Sequence, residues 1–401
     1  MKLRSGTAQE AGMSPQRVSH VADLAAGWVE QGITPALVVL AARKGVVFLH
    51  EAYGRMGPEE GAPSVELDAI YPLASLTKPI TATAAMILVE DGLLGLNRPV
   101  SWYIPEFTGK GKDAVMVHHL LTHTAGLRDE EAKFYDLNAF AEKRGSVPPC
   151  DETAHPVLHA HLSLRYDAPL WKPPGTEMTY CNFGYELLGE IVRRVSGMPL
   201  AGFCRERIFQ PLGMADTSYI LSESMRRRLV RRARDAPWAD HVGIELLELP
   251  LASGGAVSTA MDMAVFGQMF LNRGAYGESR ILCPASVAEM TRNQIPGIHA
   301  QYEGQVFPEA SWGYGWSTRA GKNSVAYAET LQSQRAFSHS GAGGVFMWVD
   351  PAYDLVGACF SVVSHGGVPD QVLVPERFGD HELYGRPDLF INAVTAAIVD
   401  F

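Results

Sequence analysis

Residues 71–80 read YPLASLTKPI, an apolar stretch in which Ser75 and Lys78 stand three residues apart. On a helix that spacing puts both side chains on one face, so the ammonium reaches the hydroxyl. A helix N-terminus also presents free N–H groups and a partial positive charge, which favours a developing alkoxide and lowers the pKa of a nearby Lys. To act as a base near neutrality, Lys78 must titrate about 3 pH units below its ordinary value of about 10.4. Burial can impose such a shift, at a cost of roughly 4 kcal/mol. Pro79 suits a helix that starts at the Ser. A Ser cap followed by a surface Lys fits the same four residues, so the rest of the chain has to decide.

Upstream, Ser14 and Pro15 mark a helix start that runs through RVSHVADLAAGWVEQ and closes near Gly32. ALVVLAARKGVVFLHEAYG then reads as two strands joined at Lys44-Gly45. SLTKPITATAAMILVEDG carries helical periodicity to Gly92. From there to about residue 240 the chain is helix-rich, with VMVHHLLTHTAGL, NFGYELLGEIVRRVSG and PLAGFCRERIFQPLGM at helical spacing. AFSHSGAGGVFMWVDPAYDLVGACFSVVSH returns to strands with Gly-rich and Asp-Pro turns, and RPDLFINAVTAAIVDF, with Asp388 near its start, closes the chain as a helix.

Strands joined by short turns predict an antiparallel sheet. The fold class expected is therefore mixed, α/β in the α+β sense: an antiparallel sheet flanked by N- and C-terminal helices, with a mostly helical region inserted. The boundaries fall at 1–70 and 240–401 for the sheet domain and 71–239 for the helical domain, with the active site at their interface.

A chain of 401 residues, 47% hydrophobic and 19% charged, is ordinary for a globular protein and long enough to bury a large core. Its net charge of -10 argues against a general nucleic-acid binder. Cys150, Cys181, Cys204, Cys283 and Cys359 are widely spaced, without a C-x-x-C pair, which points to reduced thiols and an intracellular protein. The N-terminal MKLRSGTAQEAGMSPQ lacks the apolar core of a secretory signal, and the apolar runs are too short to span a membrane. The expectation is a cytoplasmic protein without nucleic-acid or membrane partners; a homo-oligomer is compatible with the sequence.

Two further segments carry candidate chemistry. In MTYCNFGYE, Tyr180 and Asn182 flank Cys181 before a helix, and alternate residues of an extended segment face one way. The phenol can relay a proton and the amide can hold a carbonyl or orient Lys78; a strand-to-helix turn with Asn as cap is the plainer alternative. In AFSHSGAGGVF, residues 336–346, small residues after a strand let the backbone approach a ligand and offer N–H groups as an oxyanion hole. A Gly-rich hairpin would look the same.

Taken in order, S-L-T-K, then Y-C-N, then H-S-G before a late strand resembles the three-motif pattern of serine β-lactamases and penicillin-binding proteins. The chain is most similar to the class C branch, and in character to family VIII carboxylesterases. The runs HHLLTHTAGL, PGTEMTYCNFGYELLGEIV, IFQPLGM and LASGGAVSTAMDMAVFGQ extend the resemblance over nearly the whole chain. The resemblance implies a β-lactamase/transpeptidase-like fold and a serine hydrolase with Ser75 as nucleophile, Lys78 and Tyr180 as proton carriers, the N–H groups of Ser75 and Ala342 as oxyanion hole, and Asn182, His339 and Gly341 binding substrate. It requires no cofactor and no metal. The substrate expected is a small-molecule ester or amide.

One departure bears on the substrate. Lactam-processing relatives have Lys-Thr-Gly in the third motif, whose cation holds a carboxylate; here His339 takes that place, shorter and mostly neutral at pH 7. This tilts the expectation towards ester hydrolysis. A β-lactamase, D-aminopeptidase, amidase or acyltransferase would use the same residues with another leaving group or acceptor, and the retention of Ser75, Lys78, Tyr180 and Asn182 speaks against a non-catalytic penicillin-binding-like sensor. His119 and His123, and His155, His159 and His161, have metal-like spacing without a metalloprotease pattern. MRRRLVRRARD at 225–235 reads as a solvated helix face. Aromatic residues within 127–172 (Phe134, Tyr135, Phe140, Tyr166 and Trp171) are candidates for a lid over an acyl pocket.

Overall fold

Ser14 and Pro15 do open the first helix, α1 (Pro15–Glu30), with Ser14 Oγ accepting from the Arg17 N–H. Strand β1 (Arg4–Ser5) precedes it, and β2 (Ala36–Arg43) and β3 (Val46–Gly54) follow. Lys44 and Gly45 join β2 to β3 with φ of 52° and 75°, the left-handed pair that a two-residue hairpin requires. The computed structural model describes residues 1–133, 149–234, 249–302, 305–319, 330–362 and 387–400.

The late strands are β4 (Ser317–Thr318), β5 (Phe337–Gly341), β6 (Val345–Asp350) and β7 (Leu355–Ser361). They join the early ones in a seven-stranded sheet ordered β1-β3-β2-β7-β6-β5-β4. Every pairing is antiparallel except β1 with β3, which the sequence did not reveal. All eight residues of β2 are buried because helices cover both faces. Leu37, Val39 and Ala41 meet Val21 and Trp28 of α1 and the Phe390, Ile391 and Val394 side chains of the closing helix. Val38, Leu40 and Ala42 point the other way, into a larger core with Met263 and Phe266 from the helix Ala260–Leu271. The strand period of two thus sorts one apolar run between two helical layers.

The inserted region is built on α2 (Lys78–Glu90) and α3 (Asn182–Ser196). All of α2 from Lys78 to Leu88 is buried. A Cβ on Gly189 of α3 would lie 2.4 Å from that of Ala252, so the helix packs directly on the 252–256 segment. Among the described residues no helix is long and apolar enough to cross a membrane.

Three local expectations need correction. VMVHHLLTHTAGL forms only a five-residue helix, Val117–Leu121, and His123 lies beyond it with φ of 57°, so His119 and His123 do not share a helical face. The Arg-rich run is helical only over Glu223–Arg227; Val230 then bonds to the carbonyl of Ile70, Arg228 pairs with Asp216 and Asp68, and Arg231 with Glu59. It is solvated at Arg226, Arg227, Arg231 and Arg234, but as a short helix followed by an ion-paired edge rather than one helix face. The closing helix spans Pro387–Thr395, shorter than its apolar pattern, because Ile398 bridges to Met13.

Trp348, wholly buried, lies across its ladder partner Gly357, where a Cβ would fall 2.0 Å from the indole. Gly357→Ala should therefore cost about 1–3 kcal/mol through overpacking, seen as a lower urea midpoint at unchanged slope. Gly27→Ala, in α1 with only Gln31 Nε2 at 3.5 Å, should instead stabilise by roughly 0.5–1 kcal/mol.

Candidate active site

The nucleophile candidate sits on an elbow. Tyr71 and Pro72 pair with Val257 and Ser258, and the Leu73 N–H donates to the Ala256 carbonyl at 2.8 Å. Ala74 then takes φ of 44°, a left-handed conformation that costs a residue with a Cβ about 1 kcal/mol or more. One 3₁₀ turn, Ala74–Thr77, carries Ser75 before α2 begins at Lys78. Ser75 is thus not the helix cap that the tetrapeptide allowed, and its hydroxyl makes no capping bond.

Lys78 is completely buried, yet its Nζ has three oxygen neighbours: Ser75 Oγ at 2.9 Å, Asn182 Oδ1 at 2.7 Å and the Ser253 carbonyl at 2.9 Å. Burial pulls its pKa down to about 7, against the opposing pull of the Asp129 and Glu186 carboxylates. A neutral amine has two N–H bonds and one lone pair. With Asn182 Oδ1 and the Ser253 carbonyl accepting the two N–H bonds, the lone pair is left for the Ser75 hydroxyl.

Asn182 is oriented by a residue that the sequence reading missed. Asp129 Oδ2 accepts from Asn182 Nδ2 at 2.8 Å and from the Asn182 N–H at 2.9 Å, while Oδ1 accepts from the Phe183 N–H at 3.0 Å. One carboxylate from a remote segment therefore caps α3 and turns the amide oxygen of Asn182 towards Lys78. Cys181, the residue before α3, is buried with Sγ 3.3 Å from Asp129 Oδ1; burial pushes its thiol pKa well up, and it is no nucleophile.

Tyr180 places its ring 4.7 Å from Lys78 Nζ. His123 holds it there: its carbonyl accepts from the Thr179 N–H at 2.9 Å, its Nδ1 from the Cys181 N–H at 3.2 Å, and its ring stacks on Tyr180 at 4.3 Å. Burial and the nearby Lys78 keep this imidazole neutral, its pKa well below the ordinary value. Read only as a possible metal ligand, His123 turns out to organise the second motif.

The third motif reaches the same place along β5. A Cβ on Gly341 would lie 2.0 Å from the Leu73 carbonyl, so only glycine lets this strand end lie against the turn that carries Ser75. Ala342 follows at once, partly exposed, in a turn whose Gly343 carbonyl accepts from Arg232 Nη2 at 3.0 Å. His339 is 4% exposed, with Nδ1 donating to the Ser340 carbonyl at 2.7 Å and its ring 5.6 Å from Trp312 and 6.5 Å from Tyr180. Burial brings its pKa down to about 3, so it stays neutral at any working pH.

Of the lid candidates, Phe134, Tyr135 and Phe140 lie outside the described residues. Tyr166 is a core residue, 5% exposed. Trp171 stacks under the Arg128 guanidinium at 3.6 Å and donates to Glu177 Oε1 at 3.3 Å. The structure thus brings Ser75, Lys78, Asn182 and Tyr180 together, sets Gly341 against their turn, and leaves Tyr166 elsewhere.

Known proteins share this arrangement of chain. The family model described as Beta-lactamase matches residues 21–377. Esterase EstB of Burkholderia gladioli is 30% identical over 332 residues, covering 76% of this chain and 81% of that protein. A penicillin-binding protein homolog from Caulobacter crescentus superposes with a TM-score of 0.72 at 23% identity, covering 96% of this chain and 98% of the other. A family VIII carboxylesterase gives 0.71 at 22%, with 96% and 99% covered; at these identities both likenesses speak to the fold. With nearly all of the described core inside the matched span, the chain belongs to the Beta-lactamase family.

Proposed function

We propose that this protein is a serine hydrolase working through an acyl-enzyme on Ser75, with small or medium carboxylic esters as substrates. The observation that carries the reading is the buried Lys78 amine, 2.9 Å from Ser75 Oγ with its two N–H directions occupied elsewhere. That geometry suits a general base whose pKa lies near working pH.

Lys78, with Tyr180 beside it, takes the proton as Ser75 Oγ attacks the ester carbonyl. The N–H groups of Ser75 and Ala342, neither of which donates to a backbone carbonyl among the described residues, receive the oxyanion. Tyr180 returns the proton to the departing alkoxide, and Asn182 keeps Lys78 and the acyl group in place. Water then attacks the acyl-enzyme by the same route, releasing the acid and restoring Ser75. The division at 1–70 and 240–401 against 71–239 puts the first two motifs on one side of this reaction and His339, Gly341 and Ala342 on the other.

Two observations favour esters. His339 is neutral and offers no cation for the carboxylate of a lactam or a peptide terminus, and Esterase EstB is 30% identical. All five cysteines are free thiols, which suits the cytoplasmic residence included in this reading.

p-Nitrophenyl butyrate, nitrocefin and a D-amino acid amide assayed in parallel should give turnover mainly of the ester; nitrocefin or amide turnover without ester turnover would overturn the choice. Ser75→Ala should remove both ester turnover and the transient acyl adduct in intact-mass spectra, with the thermal midpoint changed by no more than a few degrees because no capping bond is lost. Since only neutral Lys78 accepts the proton, kcat/KM should be low below its pKa and rise with pH through about 7. A flat profile from pH 5 to 9 would count against Lys78 as base.

A further inference from the structure

Glu186 stands four residues after Asn182, on the same face of α3. Its Oε1 accepts from the Ser253 N–H at 2.9 Å and its Oε2 from the Ala252 N–H at 3.2 Å. The Ala252 carbonyl, which shares its peptide with the Ser253 N–H, receives Thr81 Oγ1 at 2.7 Å, and the Ser253 carbonyl, one peptide further on, receives Lys78 Nζ at 2.9 Å. The 252–253 backbone is therefore clamped between one carboxylate and helix α2. We propose that Glu186 is a positioning residue for the reaction: by fixing the Ser253 carbonyl it sets the direction of the Lys78 lone pair at Ser75. The proposal rests on the reading of Lys78 as the base.

Two adjacent N–H donors facing one side chain call for a group that only accepts, which a carboxylate is and an amide is not. In Glu186→Gln one end of the side chain turns an NH₂ towards an N–H, so one of the two bonds is lost. α3 would then hold the lysine through Asn182 alone. The other wall of Glu186 faces a cavity of about 70 Å³ shared with His155, His159, Glu190 and Arg193. Around Lys78 itself the titratable groups are Tyr180 and Cys181 just before α3, Tyr185 and Glu186 on it, Asp129 capping it from a remote segment, His123 from the segment after Val117–Leu121, and His339 on β5. The Asp129 and Glu186 carboxylates favour the ammonium form of the lysine; burial raises the pKa of Glu186 itself, against the bonds from Ser253 and Ala252 and the Lys78 charge that hold it ionised.

Loss of aim and loss of charge can be read separately. Steady-state ester hydrolysis by the full chain, measured from pH 5 to 9, gives a plateau and an acid-side midpoint for the parent, Glu186→Gln, Glu186→Asp and Lys78→Ala. In Glu186→Gln the plateau of kcat should fall about 100-fold, the penalty of misplacing a reacting group by about 1 Å, with KM little changed. Its midpoint should move to lower pH, because the ammonium loses a neighbouring anion. Glu186→Asp keeps the charge but is too short to reach both N–H groups, so its plateau should fall while the midpoint stays put. A Glu186→Gln enzyme with parental plateau and midpoint would overturn the proposal, as would a plateau loss in both variants with no midpoint movement in Gln, which marks a purely structural role. If Glu186→Gln does not fold, as judged by its unfolding transition, Glu186→Asp carries the test, and a parental plateau there overturns the proposal. Lys78→Ala separates the two readings: retained activity refutes the base itself, whereas an inactive Lys78→Ala beside an unaffected Glu186→Gln refutes only the brace.

Discussion

An amine with no solvent exposure, satisfied by three oxygens from three separate stretches of chain, is the constraint on which this structure turns. Burying Lys78 as an unpaired ammonium would cost several kcal/mol. The cost is tolerable because Asn182, Ser253 and Ser75 all reach it, and because burial shifts the balance towards the neutral amine. Each of those contacts is itself held from behind: Asn182 by Asp129, Ser253 by Glu186, and Ser75 by the left-handed Ala74 and the neighbouring 252–258 segment. Reactivity and fold are thus not separable here, since the pKa that makes the lysine useful exists only while the whole enclosure stands.

The sheet contributes rigidity from the other side. β5 ends at Gly341 in direct backbone contact with Leu73, a proximity that any side chain at 341 would abolish. Because β5 is tied through β6 and β7 to the fully buried β2, the turn containing Ala342 is anchored to the centre of the sheet. Tyr180 is enclosed by His123, Trp312 and His339, whose rings stand at 4.3, 6.0 and 6.5 Å. All three of these rings are uncharged, so among the described residues this wall of the site presents aromatic faces rather than a cation.

What the sequence made legible was local or patterned. The Ser14–Pro15 helix start, the two strands of ALVVLAARKGVVFLHEAYG with their Lys44–Gly45 hairpin and the three motif segments rest on spacing and on residue types with one dominant use. What it hid was contributed by groups with no signature. Ser253 acts through its carbonyl, which every residue possesses. Asp129 caps a helix more than fifty positions away, and nothing in GLRDE points to that partner. His123 was obscured by its neighbour His119, whose spacing invited a helical reading that the φ of 57° excludes. In the run 225–235 charge density correctly predicts exposure, for Arg226, Arg227, Arg231 and Arg234, but not the ion pairs that Glu59, Asp68 and Asp216 supply from distant segments.

The place of β2 has a bearing on how the chain must be made. On one edge it meets β3, its immediate successor; on the other it meets β7, near the far end of the polypeptide. Between the synthesis of these two partners β2, apolar but for Arg43, has an open edge and an uncovered face, since the helix Pro387–Thr395 follows β7. Contacts this remote close slowly, and an unpaired apolar edge is the feature most prone to join with another chain. Until β7 is in place β2 is therefore the edge most open to a second chain, and the bond from the Ser14 N–H to the Ala397 carbonyl likewise joins segments that must wait for one another.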